Sequence, residues 1–268
     1  MLIVGELINC TRKKVASAVE ARDRKFIQDL ARRQDEAGAD YLDVNGGVLG
    51  QETEALQWII EAVQEVSQKP LCVDSSISEV ILAALPKVAK RPLINSLSAE
   101  PRRLEALLPA ALEHRAKVIA LCLDENGIPK TADGKLRIAE HLLRRFTDAG
   151  LALDDIYVDP CLFPVASDQQ SGREVLRAIE LIMTEFRGVH TILGLSNVSF
   201  GLPLRRALNR TFLALAMARG LDAAILDPLD RAAMATLVTA RTLLGNDASC
   251  MKYVTAYRAG RLQAEAGG

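Results

Sequence analysis

Carboxylate and amide side chains end the apolar segments of this chain along its whole length. They lie at the ends of eight successive segments, as Glu6 and Asn9, Asp43 and Asn45, Asp74, Asn95, Asp124, Asp159, Asn197 and Asp227. Asp and Asn also cap loops and helices, so one such residue indicates little. The repetition favours a polar ligand site. Carboxylates accept hydrogen bonds and Asn amides both donate and accept, so a ligand with several N–H groups on one edge suits this set.

The strands and helices that position these residues alternate strictly along the chain. Candidate strands, rich in Val, Ile and Leu, cover residues 2–8, 40–45, 70–75, 92–97, 117–124, 155–160, 190–197 and 222–227. Amphipathic helical segments lie between and after them at 24–37, 52–67, 77–89, 101–115, 135–149, 173–187, 205–219 and 230–244. Continuous apolar strands are typical of parallel sheets that are buried on both faces.

This alternation predicts a single-domain α/β fold, a (β/α)8 TIM barrel, because parallel strands with right-handed crossovers close economically in that way. The barrel is expected over residues 1–246, followed by a C-terminal extension and tail at 247–268. A doubly wound open sheet is the alternative, but no G-x-G-x-x-G follows the first strand to favour it. In a barrel, the strand ends meet at one mouth, where function gathers.

The amino-acid composition of the chain excludes several classes of function. The chain has 268 residues, 49% of them hydrophobic, and a net charge of −1, which argues against disorder and against nucleic acid as the partner. It has no apolar run long enough for a membrane helix, and its start has no signal-peptide pattern, so we expect a cytoplasmic protein. The five cysteines are widely spaced and the three histidines lie away from the strand ends, so we expect neither disulfides nor a bound metal.

The strand ends carry almost no permanent positive charge, which makes a sugar phosphate a poor fit. The 2-amino-4-oxo-pyrimidine edge of a pterin fits better, because a carboxylate can accept its ring N–H and its amine together. Seven segments of the chain, taken together, identify a family more specifically than any single motif does. They are Met1–Asn9, Leu71–Ser75, Leu93–Ser96, Gly127–Lys130, Ile156–Pro160, Leu193–Ser199 and Asn209–Leu213. With these segments the chain resembles the methyltetrahydrofolate:corrinoid protein methyltransferases, a branch of the pterin-binding barrels that includes dihydropteroate synthase and the folate domain of methionine synthase.

The resemblance implies a set of site residues. Asp74, Asn95 and Asp159 match positions that hold the pterin, and Asn197 matches the position that hydrogen-bonds N5 of the folate. Asn197 and Asp159 are the expected catalytic residues. Ser196, Gly194 and Arg205 are expected to bind folate, and a second group extends the candidate site: Glu6, Asn9, Asp43, Ser96 and Ile225. The stretch from Phe200 to Leu204 departs from the acetogenic relatives.

The resemblance also implies the reaction, which is methyl transfer between N5 of tetrahydrofolate and the cobalt of a corrinoid. A methyl group on N5 leaves more readily when N5 is protonated or hydrogen-bonded, and Asn197 with Asp159 suits that task. The chain has no D-x-H-x-x-G corrinoid signature, so the cobalamin is expected on a separate corrinoid protein. Transfer from methylcorrinoid to tetrahydrofolate is the favoured direction, and a homodimer is implied.

Two alternatives stay open at this point. A dihydropteroate synthase normally has a Pro-Asp-Ser-Phe-Ser-Asp-Gly-type first loop, whereas the loop after Asn9 here reads Cys10-Thr-Arg-Lys-Lys14. A non-catalytic folate-binding subunit would use the same pterin contacts as an enzyme. The presence of Asp74, Asn95, Asp159 and Asn197 together argues against such a subunit.

Overall fold

Eight parallel strands form a nearly closed barrel in the structure, a computed structural model that describes residues 1–47 and 50–262. The strands are β1 Leu2–Asn9, β2 Tyr41–Asn45, β3 Leu71–Asp74, β4 Leu93–Ser98, β5 Lys117–Leu121, β6 Ile156–Asp159, β7 His190–Thr191 and β8 Ala223–Leu226. They pair in the order β7-β6-β5-β4-β3-β2-β1-β8. A parallel bridge between Gly194 and Ile225 completes the ring, with the Ile225 amide donating to the Leu193 carbonyl at 2.9 Å. The predicted (β/α)8 barrel is confirmed.

Helices surround this barrel and return the chain to the start of the next strand. They are α1 Lys13–Glu20, α2 Arg24–Glu36, α3 Glu52–Gln64, α4 Ser78–Ala84, α5 Pro101–Glu113, α6 Ala132–Asp148, α7 Ser171–Glu185, α8 Arg205–Ala218, α9 Arg231–Leu243 and α10 Met251–Arg258. Side chains of Asp23, Thr131 and Asp230 accept from backbone N–H groups at the starts of α2, α6 and α9. These caps satisfy amides that the first helical turn leaves free.

The core lies on both sides of the strands. Their Val, Ile and Leu residues are almost all buried, and the helices place their apolar stripes on the barrel exterior. A strand that is buried on both faces has no polar alternate positions, which is why continuous apolar runs predicted the strands. No helix in the described part of the chain has the length and apolar character required to cross a bilayer.

Several boundaries differ from the sequence-based expectation. The fifth strand ends at Leu121 rather than 124, and the seventh covers only His190–Thr191 rather than 190–197. Helices α1 and α10 were not predicted, since both are short and α1 begins in a basic loop segment. The expected C-terminal extension contains α10, while its last residues, 263–268, lie outside the described residues.

Two strands carry irregularities where they reach the mouth. The register of β1 shifts between Gly5 and Ile8, and that of β4 shifts between Ile94 and Leu97. In β1 the side chain of buried Gln34 replaces the missing ladder partner, because its Oε1 accepts from the Leu7 amide at 3.0 Å. Such irregularities re-aim side chains in a sheet, and these two lie at Glu6 and Asn95.

Candidate active site

One side of the mouth is formed by four polar side chains on neighbouring strands, which we call the strand wall: Asp43, Asn45, Asp74 and Asn95. The ladder register places Asn45 beside Asp74 and Asp74 beside Asn95. Asn45 Nδ2 donates to Asp74 Oδ2 at 2.9 Å, and Asn95 Nδ2 donates to Asp43 Oδ1 at 3.3 Å. The sequence-predicted residues on these three strands therefore form two hydrogen-bonded pairs side by side.

The strand wall holds two carboxyl groups with altered acidity. Burial raises the pKa of Asp74 to about 6, although the Asn45 hydrogen bond and the Arg103 charge act in the opposite direction. Burial also raises the pKa of Asp43 well above its usual range, and the neighbouring Asp74 adds to that effect. Asp43 is 2% exposed. Since two neighbouring carboxylates repel each other, ionisation of Asp43 is disfavoured relative to ionisation of Asp74.

Arg103, on α5, anchors the backbone beneath the strand wall. Its Nε donates to the Ser96 carbonyl at 2.7 Å, while Nη1 and Nη2 donate to the carbonyls of Ser76 and Ser75 at 2.8 Å each. A planar guanidinium can bridge the ends of β3 and β4 in this way, where an ammonium group could not. The sequence analysis missed Arg103, because nothing in a helical basic residue indicates that it reaches a strand end.

The opposite side of the mouth is formed by Glu6, Asp159, Gly194–Ser199 and Arg205, which we call the loop wall. Asp159 ends β6 and is buried, and its Oδ1 accepts from the Cys161 amide at 2.7 Å. Burial raises the pKa of Asp159 to about 6, whereas hydrogen bonds from the Cys161 and Gly194 backbone and the Lys135 charge lower it. A carboxyl group with this acidity can hold or release a proton near neutral pH.

Asn197 lies in a 3-10 helix, Leu195–Ser199, and not on the seventh strand as expected. The strand pattern was misleading because the apolar residues Ile192 and Leu193, which follow β7, lead directly into the turn that carries Asn197. Its side chain is exposed, and a Cβ added at Gly194 would lie 3.1 Å from Asn197 Nδ2. Glycine is therefore the residue that leaves room for this amide where the barrel closes on Ile225.

Within the loop wall, Glu6 and Arg205 hold the segment that carries Asn197. Ser196 Oγ donates to Glu6 Oε2 at 2.6 Å, and Arg12 Nη2 donates to Glu6 Oε1 at 2.6 Å. Burial raises the pKa of Glu6, and the contacts with Ser196 and Arg12 partly offset that shift. Arg205 Nη2 donates to the Ser196 carbonyl at 2.8 Å. The loop that carries Asn197 is thus held from β1 and from α8.

The divergent stretch Phe200–Leu204 lies beside this loop. Phe200 and Leu204 are 65% and 84% exposed, and Leu204 precedes α8 with a φ of 49°, in the left-handed region. The Arg205 guanidinium lies over the Phe200 ring, 5.7 Å from its centroid, and Arg205 Nε donates to Ser199 Oγ at 3.1 Å. Arg205 therefore shapes the loop in addition to being a candidate folate contact.

Three of the polar strand ends act as loop caps. Asn9 Oδ1 accepts from the Thr11 amide at 3.0 Å, and Asp227 Oδ1 accepts from the Leu229 amide at 2.9 Å. Asp124 Oδ1 accepts from the Asn126 amide at 2.8 Å, three residues beyond the end of β5. Each of these three side chains therefore stabilises the loop that follows its strand. Ser96 is buried in the strand wall, with its carbonyl bound to Arg103.

The cysteines are all unpaired thiols, and four of the five are buried. Cys10, at the end of β1, donates its backbone N–H to the Asn45 carbonyl at 3.2 Å. Burial raises the pKa of its thiol to about 11, which makes it a weak nucleophile. Within the described residues, no three His, Cys, Asp or Glu side chains form a group that could hold a metal ion. The mouth is thus equipped for hydrogen bonding and proton handling.

The chain belongs to the family of pterin binding enzymes, whose model matches residues 5–227. Along 265 residues it is 36% identical to the methylcorrinoid:tetrahydrofolate methyltransferase of Eubacterium limosum, which covers 98% of each chain. The methionine synthase of Mycobacterium tuberculosis is 33% identical over 239 residues, which are 84% of this chain and 20% of that enzyme.

Solved structures show the same fold at lower identity. The dihydropteroate synthase of Coxiella burnetii, in complex with pteroic acid, superposes with a TM-score of 0.70 at 15% identity and covers 91% of this chain and 93% of its own. The dihydropteroate synthase of Xanthomonas albilineans, with 4-aminobenzoic acid, has a TM-score of 0.67 at 23% identity and covers 91% of both chains. The resemblance inferred from the sequence motifs is confirmed at the level of the family.

Proposed function

We propose that this chain transfers a methyl group between N5 of tetrahydrofolate and the cobalt of a corrinoid. The observation that carries the proposal is the arrangement of the mouth, where partly buried Asp74 ends β3, buried Asp159 ends β6 and exposed Asn197 lies on the loop after β7. The similarity to the Eubacterium limosum enzyme over nearly the whole chain supports the same reaction.

The pterin is proposed to bind between the strand wall and the loop wall. Asp74 would accept ring and amine N–H groups, because a carboxylate pairs with two such donors at once. Asn95 would supply an amide that both donates and accepts, held by its hydrogen bond to Asp43. Asp159 is proposed to bind the pterin from the other side. Gly194, Ser196, Ile225 and Arg205 complete the proposed site along the loop wall, and Ser96, Glu6 and Asn9 support its edges.

Asn197 is proposed to act at N5. An amide does not titrate, so its role is to hydrogen-bond N5 and thereby hold the form in which the departing folate is a neutral amine. Asp159, with a pKa of about 6, would exchange the proton with N5 through this network. General acid or base assistance of this kind contributes roughly 10² to 10⁴ in rate. Because Asn197 is exposed at the rim, the methyl group at N5 would face solvent and an incoming partner.

The corrinoid is proposed to arrive on a separate protein and to supply a cobalt that accepts or donates the methyl group. We propose tetrahydrofolate as the methyl acceptor, in the direction printed in the name of the Eubacterium limosum enzyme. We further propose a cytoplasmic homodimer. In the proposed domain arrangement, residues 1–246 form the pterin-binding barrel and residues from 247 form an extension that packs α10 against α9.

The decisive experiment mixes the protein with methyltetrahydrofolate and free Co(I) cobalamin and follows the cobalamin absorption spectrum. In this mixture we expect the methylcobalamin band to grow. In the reverse reaction, with methylcobalamin and tetrahydrofolate as the starting compounds, we expect the same band to disappear. Comparison of the two rates with the natural corrinoid protein would test the direction. Folate binding without transfer in either direction would contradict the proposal and favour a folate-binding subunit, whereas condensation of a pterin pyrophosphate with 4-aminobenzoate would favour a synthase.

A further inference from the structure

A lysine is buried in the barrel wall behind Asp159. Lys135 lies in the first turn of α6 and is 2% exposed, and it is the one lysine or arginine that is fully buried among residues 1–47 and 50–262. The neighbouring positions on this face of α6 are apolar, including Ile138, Ala139 and Leu142. An ammonium group is costly to bury unless several polar groups compensate it. A methionine would fill such a position without that cost, so packing alone does not explain Lys135.

The contacts of Lys135 are confined to the turn that follows β6. Its Nζ donates to the Pro160 carbonyl at 2.6 Å and to the Cys161 carbonyl at 3.0 Å. Cys161, with a positive φ of 55°, is the residue whose amide donates to Asp159 Oδ1. Lys135 therefore holds the Pro160–Cys161 peptide group, whose N–H donates to Asp159, and the peptide group that follows it.

The charge of Lys135 also acts on Asp159. The other titratable groups near this carboxylate are the buried thiols of Cys122 and Cys161, and burial raises the pKa of both thiols well above the neutral range, so neither contributes charge. Burial lowers the pKa of Lys135, while Cys161, Cys122, Asp159 and Asp168 oppose that shift. Asp159 thus has one buried cation close to it and backbone amides as its other partners.

We propose that Lys135 is a positioning residue for the methyl transfer, whose ammonium group holds the Pro160–Cys161 turn and supplies the positive charge that faces the Asp159 carboxylate. This inference rests on the proposed function, in which Asp159 binds the pterin and exchanges the N5 proton. Lys135 itself does not touch the substrate. It makes Asp159 available as a charged acceptor over the pH range in which the enzyme works.

The test replaces Lys135 by Met, which removes the charge and the donors at nearly constant volume, and measures tetrahydrofolate affinity from pH 5.5 to 8. If the pKa of Asp159 rises by one unit, affinity falls about fivefold at pH 6 and hardly changes at pH 8, because the carboxylate is then ionised in both proteins. Lys117→Met is the matched control, since Lys117 is a partly buried lysine at the other end of the barrel that donates to the Tyr157 hydroxyl at 3.1 Å. It should leave the pH profile unchanged.

Two further arms separate this inference from its alternatives. In an Asp159→Asn background the pH effect of Lys135→Met should vanish, whereas in an Asp74→Asn background it should persist. Lys135→Gln keeps a donor but lacks the charge, so it should reproduce the pH shift, and it serves as the test variant if Lys135→Met does not fold. A loss of affinity that is equal at every pH, or a full recovery in Lys135→Gln, would overturn the proposal.

A measurement on the folate-free protein keeps the test independent of the proposed function. Carbon-detected NMR of the side-chain carboxyl groups, with Asp159→Asn for assignment, gives the pKa of Asp159 directly. We expect it to rise in Lys135→Met and to stay constant in Lys117→Met. If the wild-type protein binds no folate, the proposed function fails, but an increase in this pKa would still support the electrostatic role of Lys135, and a constant pKa would contradict it.

Discussion

The two walls of the mouth are built differently. The strand wall lies on three adjacent strands, and its four side chains form two hydrogen-bonded pairs, Asn45 with Asp74 and Asn95 with Asp43. The loop wall places Asn197 on a 3-10 helix beyond a two-residue strand, and that helix is held by side chains from β1 and α8. A wall built on adjacent strands suits recognition, and a loop that can shift suits a step in which a bond changes. We therefore propose that the strand wall, together with Asp159, binds the pterin and that the segment carrying Asn197 serves the transfer step.

The largest effect is expected when the strand wall loses its charge. Asp74→Asn removes a carboxylate that pairs with two ligand N–H groups and with Asn45, and such charged hydrogen bonds contribute about 1.5–3 kcal/mol each. Tetrahydrofolate affinity should fall about a hundredfold in calorimetry. Asp124→Asn is the matched control, because Asp124 caps a turn at the same face of the barrel. Equal losses in the two variants would contradict the assignment of binding to the strand wall.

The loop wall should respond in rate more than in affinity. Asn197→Ala removes the amide proposed to hold N5, so single-turnover methyl transfer should slow more than tenfold, within the range for lost acid or base assistance. Folate affinity should change less, because the strand wall is intact. Asn126→Ala is the control, because Asn126 is an exposed turn residue at the same end of the barrel and its replacement should leave the transfer rate unchanged. An unchanged transfer rate in Asn197→Ala would remove its proposed role.

Acidification should weaken folate binding through both walls. The carboxyl groups of Asp74 and Asp159 each have a pKa of about 6, and both must be ionised to accept N–H donors. Between pH 7 and pH 5.5 we expect affinity to fall about tenfold as the two groups take up protons. Titration calorimetry in the wild type and in Asp159→Asn separates the two contributions. A pH-independent affinity in this range would show that neither carboxylate binds the pterin.

The stability of the folate-free protein should have the opposite pH dependence. The folded-state pKa of about 6 at Asp74 and Asp159 lies above the ordinary value of 3.8, so between these values the native state binds more protons than the unfolded state. Their contribution to the free energy of unfolding therefore rises as the pH falls from about 6 towards 4. Urea denaturation should show that contribution as the difference between the wild type and Asp74→Asn/Asp159→Asn. An identical pH slope in both proteins would contradict it.

The strand wall was more accessible to sequence analysis than the loop wall. Asp43, Asp74 and Asn95 follow buried apolar runs directly, and parallel strands bring such positions together whatever the loops do. The position of Asn197 on a 3-10 helix could not be predicted, because an apolar run does not show where a strand stops forming its ladder. Arg12, Arg103 and Lys135 were missed for another reason. Each is a basic residue in a loop or helix, and only the packed structure shows which backbone or carboxylate it reaches.

The smallest effect should come from the link between the loop wall and β1. Ser196→Ala removes the hydrogen bond from Ser196 Oγ to Glu6 Oε2 but leaves the Arg12 contact with Glu6 and the Arg205 contact with the Ser196 carbonyl. Since one neutral donor is lost from a loop that keeps its other anchors, single-turnover transfer should slow about threefold, equivalent to about 0.7 kcal/mol.

Ser98→Ala is the control, because Ser98 Oγ donates to Glu100 on the side of the strand wall. A loss in Ser196→Ala as large as that in Asn197→Ala would mean that the 3-10 helix has no independent support. The loop wall would then be a single cooperative unit with β1, and the contrast between a rigid wall and an adjustable one would fail. If Ser196→Ala instead slows transfer about threefold and leaves folate affinity unchanged, the segment that carries Asn197 is the adjustable part of the mouth.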